Sequence, residues 1–368
     1  MHKSEAFVPF IHVLRGLAPL IVLWVHLGGA WLAGSHKQVL PAFQWYRTYF
    51  SEPLHLAGDG AHMAVVVFFL ISGYIISHVG QFETPFQFVV KRVFRILPTL
   101  TIAVIAAWLV HVVSPLFDLP AFYGTVASST EDYISTALLY VFAVGGKPAV
   151  GAAWSLYVEV IFYALFALWL AAVKARPNVS TAGLTASVAV VSAIVLAVPA
   201  LRPQMLFLAY LPMFLIGRSL YTLHTKVSSI RLTIVFVAVN LIVMCAAWEA
   251  FWPGYLTKET PFEPIVTYLA APGLFMIAMY ANIRRVPRIL MFFGNISYAL
   301  YILHEPIGNF SISILYKYGL NATAAVVGGT VISIGAAAFV TKLVERPAQK
   351  AARYILSFRR PEEPQPAS

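Results

Sequence analysis

Residues 10–26 read FIHVLRGLAPLIVLWVH, and this stretch decides the fold. A helix crosses a bilayer core on roughly 20 mostly apolar residues. This run sits inside one such segment yet carries Arg15 and His26. Ionisable groups in a span are costly, so they normally face the bundle interior rather than lipid. The two residues are eleven apart, which is ~1100° of rotation, about three turns plus ~20°. They share one face and stand ~16 Å apart along the axis. Pro19 lies between them at a position that favours a kink. A snorkelling Arg15 and a structural His26 are the alternative to a shared functional face.

The rest of the chain repeats the pattern. Of 368 residues, 60% are hydrophobic and only 11% are charged, with a mean hydropathy of +0.79. Soluble domains carry roughly 25% charged residues, so an ordinary soluble enzyme and a disordered chain are both excluded. A β-barrel would show strands of about ten residues with alternating polarity, which are missing. The expected fold class is all-α, a polytopic membrane protein. Ten long apolar segments cover about 8–32, 61–80, 97–116, 152–173, 184–200, 205–223, 232–250, 265–281, 289–316 and 322–343. The stretch Ile134–Gly146 is too short for a span and suits a re-entrant or interfacial piece. The first segment reads as an uncleaved helix rather than a leader, because it is long and holds Arg15.

Charge sets the expected orientation. With both termini cytoplasmic, the inner side gathers Lys3, Lys91, Arg92, Arg95, Lys174, Arg176, Arg218, Lys226, Arg231, Arg284, Arg285, Arg288 and the cations from Lys342 to Arg360. The outer side keeps Lys37, Arg47, Lys147, Arg202, Lys258 and Lys317. That threefold bias follows the positive-inside pattern, and it reverses if Ile134–Gly146 crosses. The net charge of +10 is therefore assigned to cytoplasmic loops and membrane lipids, not to nucleic acid. One transmembrane domain is expected over 1–350, then a short cytoplasmic tail, 351–368, partly disordered at PEEPQPAS. The single Cys245 allows no disulfide framework.

Polar residues inside spans are the remaining signal. In 63–77, MAVVVFFLISGYIIS, Ser72 and Gly73 interrupt bulky residues, which suits close helix packing or backbone approach to a ligand. In 88–98, FVVKRVFRILP, Lys91 precedes Arg92 and Arg95, which share a helix face. They fit a positive-inside anchor or an anion clamp. Pro98 marks the expected start of the third span. In 151–166, GAAWSLYVEVIFYALF, Glu159 lies ~10 Å deep, close to the ~9 Å depth of His26, so the two are candidate partners. In 292–306, FFGNISYALYILHEP, Ser297, Tyr298, Tyr301 and His304 form a drifting polar stripe that ends at Glu305 and Pro306. In 341–347, TKLVERP, Glu345 sits beside Arg346. The ten histidines show no His-x-x-x-His spacing, and no metal site or permanently bound cofactor is expected.

Six motifs in this order resemble the membrane-bound acyltransferase-3 superfamily, over Arg15 to Pro347. They are Arg15-x10-His26, Phe68-Phe-x-x-Ser72-Gly73-Tyr74, Arg92-x-x-Arg95, Trp154-Ser-Leu-x-x-Glu159, Gly294-x-x-Ser297-Tyr298-x-x-Tyr301-x-x-His304 and Glu345-x-Pro347. The resemblance implies ten helices, a cytoplasmic acyl-CoA donor (acetyl-CoA most commonly), an essential His26, and a carbohydrate or lipid-linked glycan acceptor. It implies a multi-pass protein of a bacterial inner membrane. His12 departs from the usual pattern, and the fused extracytoplasmic hydrolase-like domain of some relatives is not seen. On this reading Arg15, Ser72, Gly73, Lys91, Arg92 and Arg95 bind the donor. His26, Glu159, Tyr301 and His304 do the chemistry: His26 as general base, Glu159 or His304 orienting it, Tyr301 donating to the oxyanion. Trp154, Ser297, Tyr298 and Glu345 carry supporting roles. The rival class is a proton-coupled secondary transporter using Arg15, His26 and Glu159, weakened by the missing inverted repeat.

Overall fold

The computed structural model describes residues 8–30, 32, 34, 38–119, 127, 129–253 and 263–358. Among the described residues every regular element is helical. The principal helices are α1 (Pro9–Leu23), α2 (Ala61–Val79), α3 (Pro85–Val113), α4 (Trp154–Leu168), α5 (Pro177–Ala197) and α6 (Leu211–His224). They continue with α7 (Ile230–Phe251), α8 (Glu263–Tyr280), α9 (Arg288–Leu303), α10 (Ala322–Val340) and α11 (Arg346–Ser357).

Among the described residues, eight helical segments are long and apolar enough to cross a bilayer. Two of the ten expected spans, 265–281 and 289–316, are not among them. The first corresponds to α8, of which Val266–Tyr280 is an apolar helix among the described residues. The second is interrupted: α9 ends at Leu303, a π turn fills His304–Gly308, and a helix resumes over Asn309–Lys317. Residues 130–144 form two short helices of 8 and 5 residues, neither long enough to span. Outward-facing apolar side chains on α7 and α10, such as Ile242 (66% exposed) and Phe339 (65%), are what an integral membrane protein presents to lipid.

Two expected boundaries move. The third span does not begin at Pro98; α3 starts at Pro85 and runs through it. Thr84 and Gln87 form a capping box and Pro85 occupies the first turn, which is where a helix N-terminus wants both. The boundary expected at 350 falls inside α11, whose Ala352 and Leu356 are buried and which packs on α3. Residues 351–357 continue α11, while PEEPQPAS lies outside the described residues. Arg218 is no loop cation: it is fully buried in α6, donating to Thr181, Ser77, Ser180 and the Pro177 carbonyl.

Glycines decide which helices touch. α6 lies against α2 because Gly73 faces the Phe214 carbonyl and Gly217 faces the Leu70 carbonyl, leaving no room for a Cβ at either. α1 lies against α9 in the same way, with Gly16 on the Leu290 backbone and Gly294 opposite the His12 carbonyl. Close approach through small residues is how membrane helices gain contact without a hydrophobic drive. The α1–α9 contact places Arg15 beside Ser297, and the π turns that follow the two helices place His26 beside His304.

Candidate active site

Three of the candidate residues, His26, His304 and Glu345, sit where helices widen. π turns occupy Trp24–Ala30, His304–Gly308 and Thr341–Glu345, and they hold His26, His304 with Glu305, and Glu345. Such turns are rare and frequently mark functional sites. Two have a visible cause. Pro306 and Pro347 supply no N–H, so the carbonyls four residues earlier lose their ordinary partners and the ladder loosens.

His26 Nδ1 lies 2.9 Å from His304 Nε2. His304 Nδ1 lies 2.7 Å from the Tyr301 carbonyl oxygen. A carbonyl only accepts, so His304 Nδ1 carries the proton and, in the neutral ring, its Nε2 accepts from His26 Nδ1. His26 Nε2 then holds a lone pair. No hydrogen bond involves it among the described residues, and the His26 side chain is 34% exposed while His304 is fully buried. Glu305 Oε1 stands 3.6 Å from His26 Nδ1, too long for a hydrogen bond but close enough to stabilise an imidazolium.

Glu305 is itself held by the start of α4. Its Oε2 accepts from the Ala152 N–H at 2.9 Å, an anion at a helix N-terminus. Ser155 Oγ, one turn on, lies 3.1 Å from the Ala152 carbonyl and 3.0 Å from the Tyr301 hydroxyl. His26, His304 and Glu305 bring three potential metal-ligand atoms within 4.8 Å of one another, a grouping drawn from two helices that local spacing cannot show. The 2.9 Å separation of the two nitrogens is a hydrogen-bond distance. Two nitrogens bound tetrahedrally to one ion at about 2.0–2.1 Å would stand roughly 3.3 Å apart, so the direct bond explains the geometry better.

The second half of the site is a chamber lined by Arg15, Ser72, Arg95, Ser155, Glu159, Ser297, Tyr298 and Tyr301, with an apolar wall that includes Phe68 and Phe69. Here Ser72 Oγ donates to Glu159 Oε1 at 2.7 Å, and the Tyr163 hydroxyl donates to the same carboxylate. Arg15 donates to Ser297 Oγ at 3.3 Å. Tyr298 donates to the Ile96 carbonyl at 2.7 Å, tying α9 to α3 next to Arg95.

Beyond the chamber lies a vestibule lined by Arg15, Lys91, Arg92, Arg95, Arg346 and Arg353 together with Glu345 and Gln349. Arg15 and Arg95 line both spaces and form the neck between them.

Several expectations change. Glu159 does not orient His26; it is bound to Ser72 and Tyr163, so matching depth did not mean adjacency. Glu305 stands in its place. Gly73 packs on α6 and does not line the chamber, whereas its neighbour Ser72 does. Lys91 and Arg92 line the vestibule but are already paired with the buried Glu83, at 2.7 and 3.0 Å. Trp154 packs against the Tyr210 ring at a tilt and the Phe69 ring edge-on, and does not line the chamber. The face shared by Arg15 and His26 does not open into one cavity: the chamber is lined by Arg15, Phe68 and Tyr301 but not by His26. Phe68 and Tyr301 meet edge to face at 5.7 Å, and the Tyr301 ring lies 6.0 Å from that of His304.

A family model described as an acyltransferase domain matches residues 8–342, nearly the whole chain. No curated protein and no solved structure matches.

Proposed function

We propose, from the premise that this chain belongs to the acyltransferase-3 family, that it is a membrane O-acyltransferase moving an acyl group, acetyl in the first instance, from acyl-CoA to a hydroxyl of a carbohydrate or lipid-linked glycan. The observation that carries the reading is the free Nε2 of His26, set by the bond to His304 and backed by Glu305. That is the arrangement of a general base whose tautomer is held and whose cation is stabilised when formed.

The donor's phosphates enter the basic vestibule from the cytoplasm, where guanidinium groups suit them. The arm passes the neck of Arg15 and Arg95 into the chamber, past Ser72. The Phe68–Tyr301 wall turns aside to bring the thioester to His26, a gating step of the kind many enzymes use. The acceptor O–H gives its proton to His26 Nε2 as its oxygen bonds to the acyl carbon. The Tyr301 hydroxyl donates to the oxyanion. The C–S bond then breaks, and the imidazolium returns its proton to the departing thiolate.

The test is CoA release from acetyl-CoA by the purified protein in detergent, with and without a glycan acceptor, joined to mass spectrometry of glycans from cells with and without the gene. Acceptor-dependent CoA release and a missing ester on the glycan are expected. Solute flux in vesicles without CoA release would favour the transporter instead.

A further inference from the structure

We propose that Arg346 and Arg353 on α11 form a separate phosphomonoester subsite at the mouth of the vestibule, which takes the ribose 3′-phosphate of the donor. This rests on the acyl-CoA reading above and adds residues that the six motifs leave out.

The vestibule's cations are not equivalent. Lys91 and Arg92 are engaged by Glu83. Arg15 and Arg95 sit at the neck, where they also line the inner chamber. Arg346 and Arg353 line only the vestibule, are exposed, and have no ion pair or hydrogen bond among the described residues. They are seven residues apart, so they fall within ~20° of one face and ~10.5 Å along the axis. Gln349 lines the same cavity between them. Buried Ala352 and Leu356 anchor the helix that carries them, so the face is presented rather than loose.

The order of charges along the cavity matches the order along the ligand. In acyl-CoA the thioester arm comes first, then the diphosphate, then the 3′-phosphate on the ribose. With the arm in the chamber, the diphosphate reaches the neck arginines and the 3′-phosphate falls at the mouth. A dianionic phosphate between two guanidinium forks is a strongly matched pair.

The experiment uses the full chain in nanodiscs of neutral lipid and, separately, of neutral plus anionic lipid. Acetyl-CoA and acetyl-3′-dephospho-CoA are compared for turnover. Adenosine 3′,5′-bisphosphate and AMP are compared for binding. Wild type should favour the 3′-phosphorylated member of each pair by about tenfold or more, the scale of one charge-assisted phosphate contact. In the double variant R346Q/R353Q both preferences should fall toward one.

Preferences unchanged in the variant, or lost equally for all ligands, would overturn the subsite. An arginine effect seen only with anionic lipid would assign these residues to a lipid headgroup and overturn it too. Selective bisphosphate binding without acyl turnover would keep the subsite and remove the acyltransfer reading instead.

Discussion

His26 Nδ1 stands 2.9 Å from His304 Nε2, and the proton between them belongs to His26, because His304 spends its own Nδ1 proton on the Tyr301 carbonyl. One imidazole on a π turn therefore sets the tautomer of another on a different helix. Removing the acceptor releases that constraint. His304→Phe should lower kcat by about 10- to 1000-fold, as loss of a tautomer-holding partner does elsewhere, with little change in the donor KM. Steady-state kinetics with saturating acceptor would check it. A donor KM that rises while kcat holds would instead place His304 in donor binding.

Glu305 offers a cleaner substitution. Glutamine keeps a carbonyl oxygen for the Ala152 N–H, so the start of α4 stays joined to the π turn. Only the negative charge beside His26 is lost. Glu305→Gln should fold normally and lose about 10- to 100-fold in kcat, roughly 1.4–2.7 kcal/mol of transition-state stabilisation. Glu159→Gln should act differently, because that carboxylate serves Ser72 and Tyr163 in the chamber. Its effect should fall on the donor KM. Equal kinetic signatures for the two variants would mean they serve one function.

The vestibule arginines should separate in the same way. Arg95 lines both the chamber and the vestibule, while Arg92 is committed to Glu83. Arg95→Gln should raise the KM for acyl-CoA by about tenfold or more, and Arg92→Gln by less. Arg92→Gln should instead lower thermal stability, since it leaves the buried Glu83 with Lys91 alone. Measured KM values in the reverse order would contradict this division.

Close packing gives a prediction that does not depend on the reaction. A Cβ on Gly73 would meet the Phe214 carbonyl, which belongs to helix backbone and cannot turn away. Gly73→Ala should cost about 1–3 kcal/mol of stability by forcing α2 from α6. A melting curve in detergent measures it. Donor KM in the surviving fraction should stay near wild type, since Gly73 does not line the chamber.

Much of this was legible in the sequence, and the reasons are physical. Polar groups in spans are costly, so Arg15, Ser72, Glu159, Tyr301 and His304 announced an interior, and the structure gathers Arg15, Ser72, Glu159 and Tyr301 on one chamber. The helical period put Arg15 and His26 on a shared face, and α9 runs along it. Pairing between helices was harder. Glu159 and His26 agree in depth, but depth is one coordinate; which helices adjoin was set by Gly16, Gly73, Gly217 and Gly294. Glu305 carries no role in the sequence reading because an ideal helix turns it about 100° from His304, whereas the π turn brings both toward His26. The pairing of Glu83 with Lys91 and Arg92 crosses a helix start, where no fixed period applies. Arg218 counts with the inner-side cations by position, yet neutral oxygens on α2 and α5, the Pro177 carbonyl among them, surround it.

The most direct test of the base is His26→Asn, which keeps a polar side chain but has no group that titrates near neutrality. The purified, folded variant is assayed for acyl transfer under conditions where the wild type turns over. A fall of about 10²-fold or more in kcat, with donor binding retained, is the predicted result. Transfer at close to the wild-type rate would show that another group accepts the proton, and the role given to His26 would be wrong.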